Sequence, residues 1–199
     1  MLVYRLVTVV ARPALWLVFR PRARGLEHVP KKGGFVLAAN HLSGWDIFAI
    51  GYLLAPRPIR NMGKSQLFVR PLLGPVVRSL GAFPAQDGEG LVGGVAAGTA
   101  LARDGAAVVI FPEGARRRLG EHRPRTGAAR IALEAQVPLV PAAVRGTDAW
   151  RRRERWRVAI GPPVPLDDLT GDDPGRVART ATERLWEAVT ALESTLEAA

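Results

Sequence analysis

The 199-residue chain carries a net charge of +10, and its apolar content of 48% is ordinary for a globular domain with one filled core. It contains no cysteine, which excludes disulfides, thiolate nucleophiles and cysteine-ligated metals. The three histidines are scattered along the sequence, which argues against a histidine-based metal site. The positive charge predicts an anionic partner, and nucleic acid, an acidic membrane surface and a phosphorylated substrate all qualify.

The first predicted element is an amphipathic helix over residues 2–19. Arg5 and Arg12 interrupt this apolar segment, and each costs about 2.5 to 3.5 kcal/mol near a bilayer centre, so a membrane-spanning helix is disfavoured. The two arginines share one stripe of the helix, opposite a broad apolar face. Three further arginines follow the helix: Arg20, Arg22 and Arg24.

We therefore predict that residues 1–24 form a helix in the membrane interface with a basic flank, because each basic residue near an anionic leaflet adds about 1 kcal/mol of attraction. The alternative is a helix packed on the core of the domain. One part of the helix can pack on the core while another part lies in the membrane interface. The N-terminal sequence does not have the pattern of a secretory signal, so export is not indicated. The expected location is the cytoplasmic face of the membrane, with peripheral or monotopic attachment to the anionic surface.

A histidine and a carboxylate follow the first predicted strand, the apolar run from Phe35 to Ala39. His41 and Asp46 are five positions apart, and on one helix they would point about 140° away from each other. His41 is therefore predicted in the turn before the helix, and with Ser43 taken as the N-cap residue, Asp46 falls at the third helical position. The imidazole can then fold back to the carboxylate, which suits a general base with an orienting partner. The alternative is a helix capping box beside a histidine that has only a structural hydrogen bond.

A second strand, Ile59 to Met62, is predicted after a short apolar helix that two prolines terminate. It leads into Lys64, for which a solvated loop lysine is the alternative interpretation. Helical pieces broken by proline and glycine are predicted from Gln66 to Leu80. A further helix is predicted from Gly90 to Arg103.

The third predicted strand, Ala106 to Ile110, ends at another polar cluster. This alternation of strand, helix and strand is typical of a wound α/β sheet. Glu113 then lies at a strand end, where such sheets usually have their sites. The guanidinium fork of Arg116 suits phosphate, whereas Arg117 and Arg118 are interpreted as solvated loop residues.

The C-terminal part of the chain predicts a helix from Thr126 to Ala135 and a buried strand from Val137 to Val144, whose two prolines belong at its start, an edge or a bulge.

The densest basic run, Arg151 to Arg157, follows Trp150, and aromatic side chains among arginines can stack on single-stranded bases. No nucleic-acid-binding motif accompanies the run. An interfacial loop or a solvated hairpin is therefore preferred, and nucleic acid is not an expected partner. The last helix is predicted to be capped by Asp172-Asp173-Pro174 and packed on the core.

Four stretches resemble the sequence blocks of the glycerolipid acyltransferase family, whose best-known members are the 1-acylglycerol-3-phosphate O-acyltransferases. They occur in the family's order, at residues 40–46, 64–83, 111–116 and 137–141. The first contains the His-x4-Asp pattern and the third reads Phe-Pro-Glu-Gly-x-Arg. One block would be weakly specific, but four in order cover most of the chain. The resemblance implies a single wound, mostly parallel sheet flanked by helices, as in glycerol-3-phosphate acyltransferase, for a domain over residues 25–199.

The resemblance also implies an activity, the transfer of a fatty acyl group from acyl-CoA or acyl carrier protein to the free hydroxyl of a lysophospholipid. Lysophosphatidic acid is the leading acceptor. His41 would remove the hydroxyl proton, Asp46 would orient the imidazole, and the alkoxide would attack the thioester directly. The implied substrate-binding residues are Lys64, Glu113, Gly114 and Arg116. The two cations among them would face the phosphate, and no metal or cofactor is implied, because the acyl carrier is a substrate.

One position departs from the family pattern. The second block usually ends in an arginine near the position of Gln86, and that arginine is associated with the acceptor phosphate. Two explanations stay open: Arg70 or Arg78 compensates, or the acceptor has a head group other than glycerol phosphate.

Two other functions compete with acyl transfer. A hydrolase with Ser43 as nucleophile is disfavoured, because the chain lacks Gly-x-Ser-x-Gly and the spacing from Ser43 to His41 is too local for the usual triad. A non-catalytic phospholipid-binding membrane module is the second competitor, and both Gln86 and the basic surface favour it.

Overall fold

The computed structural model describes residues 2–85, 91–114, 124–169, 171 and 173–197 of the chain. The helices are α1 (Leu2–Phe19), α2 (Asp46–Leu54), α3 (Leu73–Ser79), α4 (Leu91–Arg103), α5 (Gly127–Ala135) and α6 (Pro174–Glu197). The strands are β1 (Arg22–Arg24), β2 (Phe35–Ala39), β3 (Ile59–Lys64), β4 (Ala82–Ala85), β5 (Ala107–Ile110), β6 (Leu139–Arg145) and β7 (Arg157–Ile160). Short 3-10 helices cover Leu26–His28, Ser65–Leu67 and Trp150–Arg152.

The strands form one sheet in the order β1-β7-β6-β2-β5-β3-β4. Neighbouring strands run parallel except β6 and β7, which pair antiparallel. As a result, β1 and β7 run opposite to the rest of the sheet. The predicted fold class, a single wound and mostly parallel sheet flanked by helices, is confirmed.

The central strands are buried on both faces, since every residue of β2 and β5 is buried. One face of the sheet packs against α2 and the end of α1, and the other packs against α4, α5 and α6. This two-sided burial explains why these strands are continuous apolar runs in the sequence rather than alternating patterns.

The topology brings the ends of four strands together. Because β2, β3, β5 and β6 run parallel, their carboxyl ends lie at the same edge of the sheet, which we call the site edge. His41 follows β2 at this edge, Glu113 follows β5, Thr147 follows β6, and Lys64 is the last residue of β3.

The predicted start of α2 is wrong. The helix begins at Asp46 with Trp45 as its N-cap residue, so Asp46 is the first helical residue rather than the third and Ser43 is not the cap. The Ser43 hydroxyl instead accepts the N–H of Trp45 at 3.0 Å, and Trp45 precedes the first helical residue, so this bond does not cap the helix. The turn between His41 and Asp46 is therefore longer than predicted.

The predicted strand from Val137 begins later, at Leu139, and continues to Arg145. The delay follows from the end of α5, where Gln136 adopts a left-handed conformation with φ 55°. The N–H of Val137 still donates to the Ala132 carbonyl at 3.1 Å, which ties Val137 to the helix. At the other end of the chain, Asp173 caps α6 as predicted, since its carboxylate accepts the N–H groups of Gly175 and Arg176, whereas Asp172 lies outside the described residues.

Part of the basic run is not on the surface. Trp156 is fully buried and stacks on Phe19 with a centroid distance of 4.1 Å, so it is not available to stack on a base. Trp150 is 39% exposed and lies beside Trp45, with 5.8 Å between their ring centroids. Among the described helices, none combines the length and the apolar composition needed to cross a bilayer.

Candidate active site

The structure brings His41 and Asp46 into contact. His41 Nδ1 lies 2.7 Å from Asp46 Oδ2, with His41 in the turn after β2 and Asp46 at the start of α2. The His41 side chain is 20% exposed and that of Asp46 is fully buried. Because Nδ1 is engaged, Nε2 is the ring nitrogen left to meet a substrate.

The Asp46 carboxylate is held on both oxygens. Oδ2 also accepts the backbone N–H groups of Leu42, at 2.8 Å, and Ser43, at 2.9 Å. Oδ1 accepts the hydroxyl of Thr147, a buried residue beyond the end of β6. Since four donors converge on one carboxylate, its position relative to the imidazole is fixed before any substrate arrives.

Ser43 connects the same two turns. Its hydroxyl donates to the Thr147 carbonyl at 2.9 Å and accepts the N–H of Trp45. The hydroxyl is therefore directed to backbone groups rather than to His41. This geometry argues against Ser43 as a nucleophile.

The turn after β5 supports the other side of His41. The ring of Phe111 stacks on the imidazole with a centroid distance of 4.3 Å and an interplanar angle of 20°. Glu113, which is 3% exposed, accepts the backbone N–H of His41 at 3.2 Å through Oε1. The two polar clusters predicted from the sequence thus meet, because β2 and β5 are paired in register.

Gly114 turns the chain at this point with φ 70°, a conformation that favours glycine. A Cβ atom at Gly114 would lie 2.7 Å from Arg125 Nε, so the Arg125 guanidinium covers this turn. The backbone N–H of Arg125 also donates to the Pro112 carbonyl at 2.8 Å, which holds Arg125 at this turn. A cation that was not predicted therefore lies against the Glu113 turn.

The predicted substrate-binding residues are only partly described by the structure. Lys64 is exposed at the end of β3, which is separated from β2 by β5 alone. Arg116, Arg117, Arg118 and Gln86 lie outside the described residues. Within the described ranges, histidine, aspartate and glutamate side chains form no group of three or more that could hold a metal ion.

Two buried polar residues were not predicted to have a role. Asn40 joins the end of β2 to β6, because its amide donates to the Val144 carbonyl at 3.0 Å and accepts the Val144 N–H at 2.7 Å. Thr147 bonds Asp46 from the turn after β6. Asn40 adjoins His41 in the sequence, whereas nothing near Thr147 marks it as a site residue.

Fold and site together define an acyltransferase. The sequence model of the acyltransferase family matches residues 20–145, which include His41, Asp46 and Glu113, so the chain belongs to that family. The predicted family and the predicted enzyme class, an O-acyltransferase, are confirmed.

Individual relatives have a more specific name. The chain is 30% identical over 176 residues to the 1-acyl-sn-glycerol-3-phosphate acyltransferase of Bacillus subtilis (strain 168), covering 86% of this chain and 87% of that protein. It is 31% identical over 166 residues to the human 1-acyl-sn-glycerol-3-phosphate acyltransferase alpha, covering 77% of this chain and 58% of that protein. The crystal structure of the 1-acyl-sn-glycerophosphate (LPA) acyltransferase PlsC from Thermotoga maritima matches 98% of this chain and 79% of that chain, with a TM-score of 0.73 and 22% identity. The structural match supports the fold.

Proposed function

We propose that this chain transfers a fatty acyl group from acyl-CoA or acyl carrier protein to the free hydroxyl of lysophosphatidic acid, which yields phosphatidic acid. The observation that carries the proposal is the 2.7 Å contact between His41 Nδ1 and Asp46 Oδ2 at the site edge. The names of the relatives supply the acceptor, since each is a 1-acyl-sn-glycerol-3-phosphate acyltransferase.

In the proposed mechanism, His41 is the general base. Its Nε2 takes the proton of the acceptor hydroxyl while the hydroxyl oxygen attacks the carbonyl carbon of the acyl thioester. Asp46 accepts the Nδ1–H bond and stabilises the imidazolium that forms. When the tetrahedral intermediate collapses, the carbon–sulfur bond breaks and the imidazolium proton passes to the leaving thiolate. The acyl group is never bonded to the protein, and the two substrates supply everything that reacts.

In this proposal Lys64 and Arg116 bind the acceptor phosphate, and Glu113 and Gly114 belong to the same acceptor site. Glu113 supports this assignment indirectly, because its carboxylate accepts the backbone N–H of His41 and so links the turn after β5 to the turn after β2. Lys64 supports it by its exposure at the same edge of the sheet. Arg125, which lies over Gly114, adds positive charge to this side of the site.

Thr147→Val tests whether the fixed position of Asp46 matters for turnover. Valine keeps the shape of threonine but leaves one carboxylate oxygen without its hydroxyl donor, a loss worth about 1 to 3 kcal/mol, or roughly five- to 150-fold. We expect this loss in kcat, with little change in the KM of the acceptor, and recovery in Thr147→Ser. An unchanged kcat in the valine variant, or a loss confined to KM, would show that Thr147 does not act through Asp46.

Attachment to an anionic membrane through residues 1–24 is the second part of the proposal. In the described part of α1, Leu15 and Phe19 pack against the core, and the Arg12 guanidinium lies 5.0 Å from the centroid of the Tyr52 ring. Trp16 and Leu17 point away from the domain and are 58% and 69% exposed. An apolar helix face directed outwards, with Arg12 on the side that faces the protein, suits a membrane interface.

Leu17→Asp tests this attachment without disturbing the sheet, because Phe19 and β1 remain in place. Burying one leucine side chain is worth about 1.5 to 3 kcal/mol, so affinity for anionic vesicles is expected to fall about ten- to 150-fold. Leu26→Asp is the matched control, since Leu26 is 44% exposed and follows β1 at the edge opposite the site. Equal vesicle binding by both variants would place the membrane contact elsewhere.

An assay of the purified protein tests the activity itself. Lysophosphatidic acid is presented in anionic vesicles, acyl-CoA or acylated carrier protein is added, and phosphatidic acid is measured. A hydrolase would instead release free fatty acid without using the acceptor. A phospholipid-binding module would bind the vesicles and form no product.

A further inference from the structure

A second apolar surface lies between β3 and β4. Within eight residues, four large aliphatic side chains are exposed, with exposed fractions of 80% for Val69, 89% for Leu72, 36% for Leu73 and 50% for Val76. We call these four side chains the 69–76 surface. Single exposed aliphatic residues are ordinary on soluble proteins, but four large ones within eight residues indicate an interaction site.

The 69–76 surface is held in place from beneath. Phe68 is 8% exposed, and the Arg78 guanidinium lies 5.1 Å from the centroid of its ring. The backbone packs closely at Gly74, where a Cβ atom would lie 2.5 Å from the Phe68 carbonyl oxygen. The Gly74 N–H also donates to the Arg70 carbonyl at 2.8 Å. The aliphatic side chains are thus presented outwards by a segment that is itself anchored.

The position of this surface relates it to the active site. The segment leaves the site edge directly after Lys64, the last residue of β3. The end of α1 reaches the same edge at the other side of the sheet, where Phe19 contacts Trp45 with 6.1 Å between ring centroids. In the strand order, β2 and its His41 turn lie between these two places. The exposed apolar residues of α1 and the 69–76 surface therefore lie on either side of the His41 turn.

The sequence stretch that contains the 69–76 surface carries charge of one sign. From residue 47 to residue 86 the sequence contains no aspartate or glutamate. The same stretch contains five cations: Arg57, Arg60, Lys64, Arg70 and Arg78. Arg70 and Arg78 are exposed beside the aliphatic side chains. Aliphatic side chains with Arg70 and Arg78 beside them complement the interface of an anionic bilayer, which offers acyl chains below negative head groups.

We propose that the 69–76 surface inserts into an anionic bilayer interface and forms a second membrane contact besides α1. The His41 turn then faces the lipid between two contacts. This inference rests on the proposed function in one respect, because a bilayer-borne acceptor is the reason for the catalytic turn to face the membrane.

The absence of cysteine allows a direct test with the whole chain. Leu72→Cys is labelled with an environment-sensitive fluorophore and mixed with vesicles of phosphatidylcholine and phosphatidylglycerol, some with spin-labelled acyl chains. We expect a blue shift of the emission and quenching by the spin labels. Leu26→Cys, at the opposite edge, is the matched control and is expected to show neither. A label at Leu72 that stays water-exposed on bound vesicles overturns the proposal.

The same label excludes two other occupants of the surface. A blue shift that grows with protein concentration in the absence of vesicles would show that a second copy of the chain covers the surface. A shift on addition of acyl carrier protein alone would assign the surface to that acidic donor. Either result overturns the membrane assignment.

Leu72→Asp separates this proposal from the proposed function. Turnover of long-chain lysophosphatidic acid in vesicles is expected to fall about ten- to 150-fold, because one leucine no longer inserts. Turnover of a short-chain acceptor that is monomeric in water should stay near the wild-type value. Equal loss with both acceptors would assign the surface to the site or the fold and overturn the proposal. If the wild-type protein uses neither acceptor, the proposed function fails, while insertion of the Leu72 label still decides the membrane contact.

Discussion

Replacing His41 with alanine is expected to lower turnover by about 10²- to 10⁴-fold, because the acceptor hydroxyl loses its general base. The fold should be unaffected, since the imidazole is partly exposed and its contacts are with Asp46 and Phe111. The measurement is the rate of phosphatidic acid formation at saturating acceptor, with thermal unfolding as a check on folding. His28→Ala is the matched control, because His28 lies at the edge opposite the site and should be dispensable.

Asp46→Asn should reduce turnover by a smaller factor. The amide oxygen can take over the bonds from the N–H groups of Leu42 and Ser43, and the amide nitrogen can donate to the Thr147 hydroxyl. The geometry is kept, and the charge that stabilises the imidazolium is lost. For both variants the reference is His41→Ala: near-normal turnover by that protein with a verified acceptor would refute general-base catalysis by His41.

The meeting of His41 and Asp46 was predictable because local rules determine it. Helical periodicity prevents two side chains five positions apart from sharing a helix face, so one of them has to lie in the turn. The continuous apolar runs before His41 and before Glu113 likewise predicted two buried strands, and parallel buried strands end at a common edge.

The residues that fix Asp46 and the end of β2 were not predictable in this way. Thr147 is 101 positions from Asp46, and Val144 is 104 positions from Asn40. These contacts depend on the pairing of β2 with β6, which sets Ala39 opposite Ala142. A single sequence has no periodic signal for the pairing of strands so far apart.

The start of α2 shows a local rule that was overridden. Ser43 and Asp46 have the spacing of a capping box, in which the carboxylate would turn back to the N–H of the cap residue. Asp46 does bond the Ser43 N–H, but the same oxygen also serves Leu42 and His41. The Ser43 hydroxyl donates to the Thr147 carbonyl and accepts the Trp45 N–H instead, so the helix begins without a side-chain cap.

Arg116→Ala is expected to weaken the use of a phosphate-bearing acceptor severely. A charge-assisted hydrogen bond is worth about 1.5 to 3 kcal/mol, which corresponds to roughly ten- to 150-fold in kcat/KM for lysophosphatidic acid. Arg116→Lys should recover only part of this, because an ammonium lacks the planar fork of a guanidinium. Arg179→Ala is the control, as its exposed guanidinium lies on α6 and pairs with Asp173 at 3.6 Å.

The head group of the acceptor is tested by assaying Arg116→Ala and Gln86→Arg on a panel of lysolipids, because Gln86 stands where the family pattern has an arginine. If the acceptor is lysophosphatidic acid, Gln86→Arg should be neutral or improve its apparent affinity, since the added charge restores a phosphate contact. If the natural acceptor has a larger or less charged head group, the same change should impair its use. Both variants are compared on phosphate-bearing and phosphate-free lysolipids with one acyl donor. An equal loss on the two kinds of acceptor in Arg116→Ala would make Arg116 a structural residue and would refute its assignment to the acceptor phosphate.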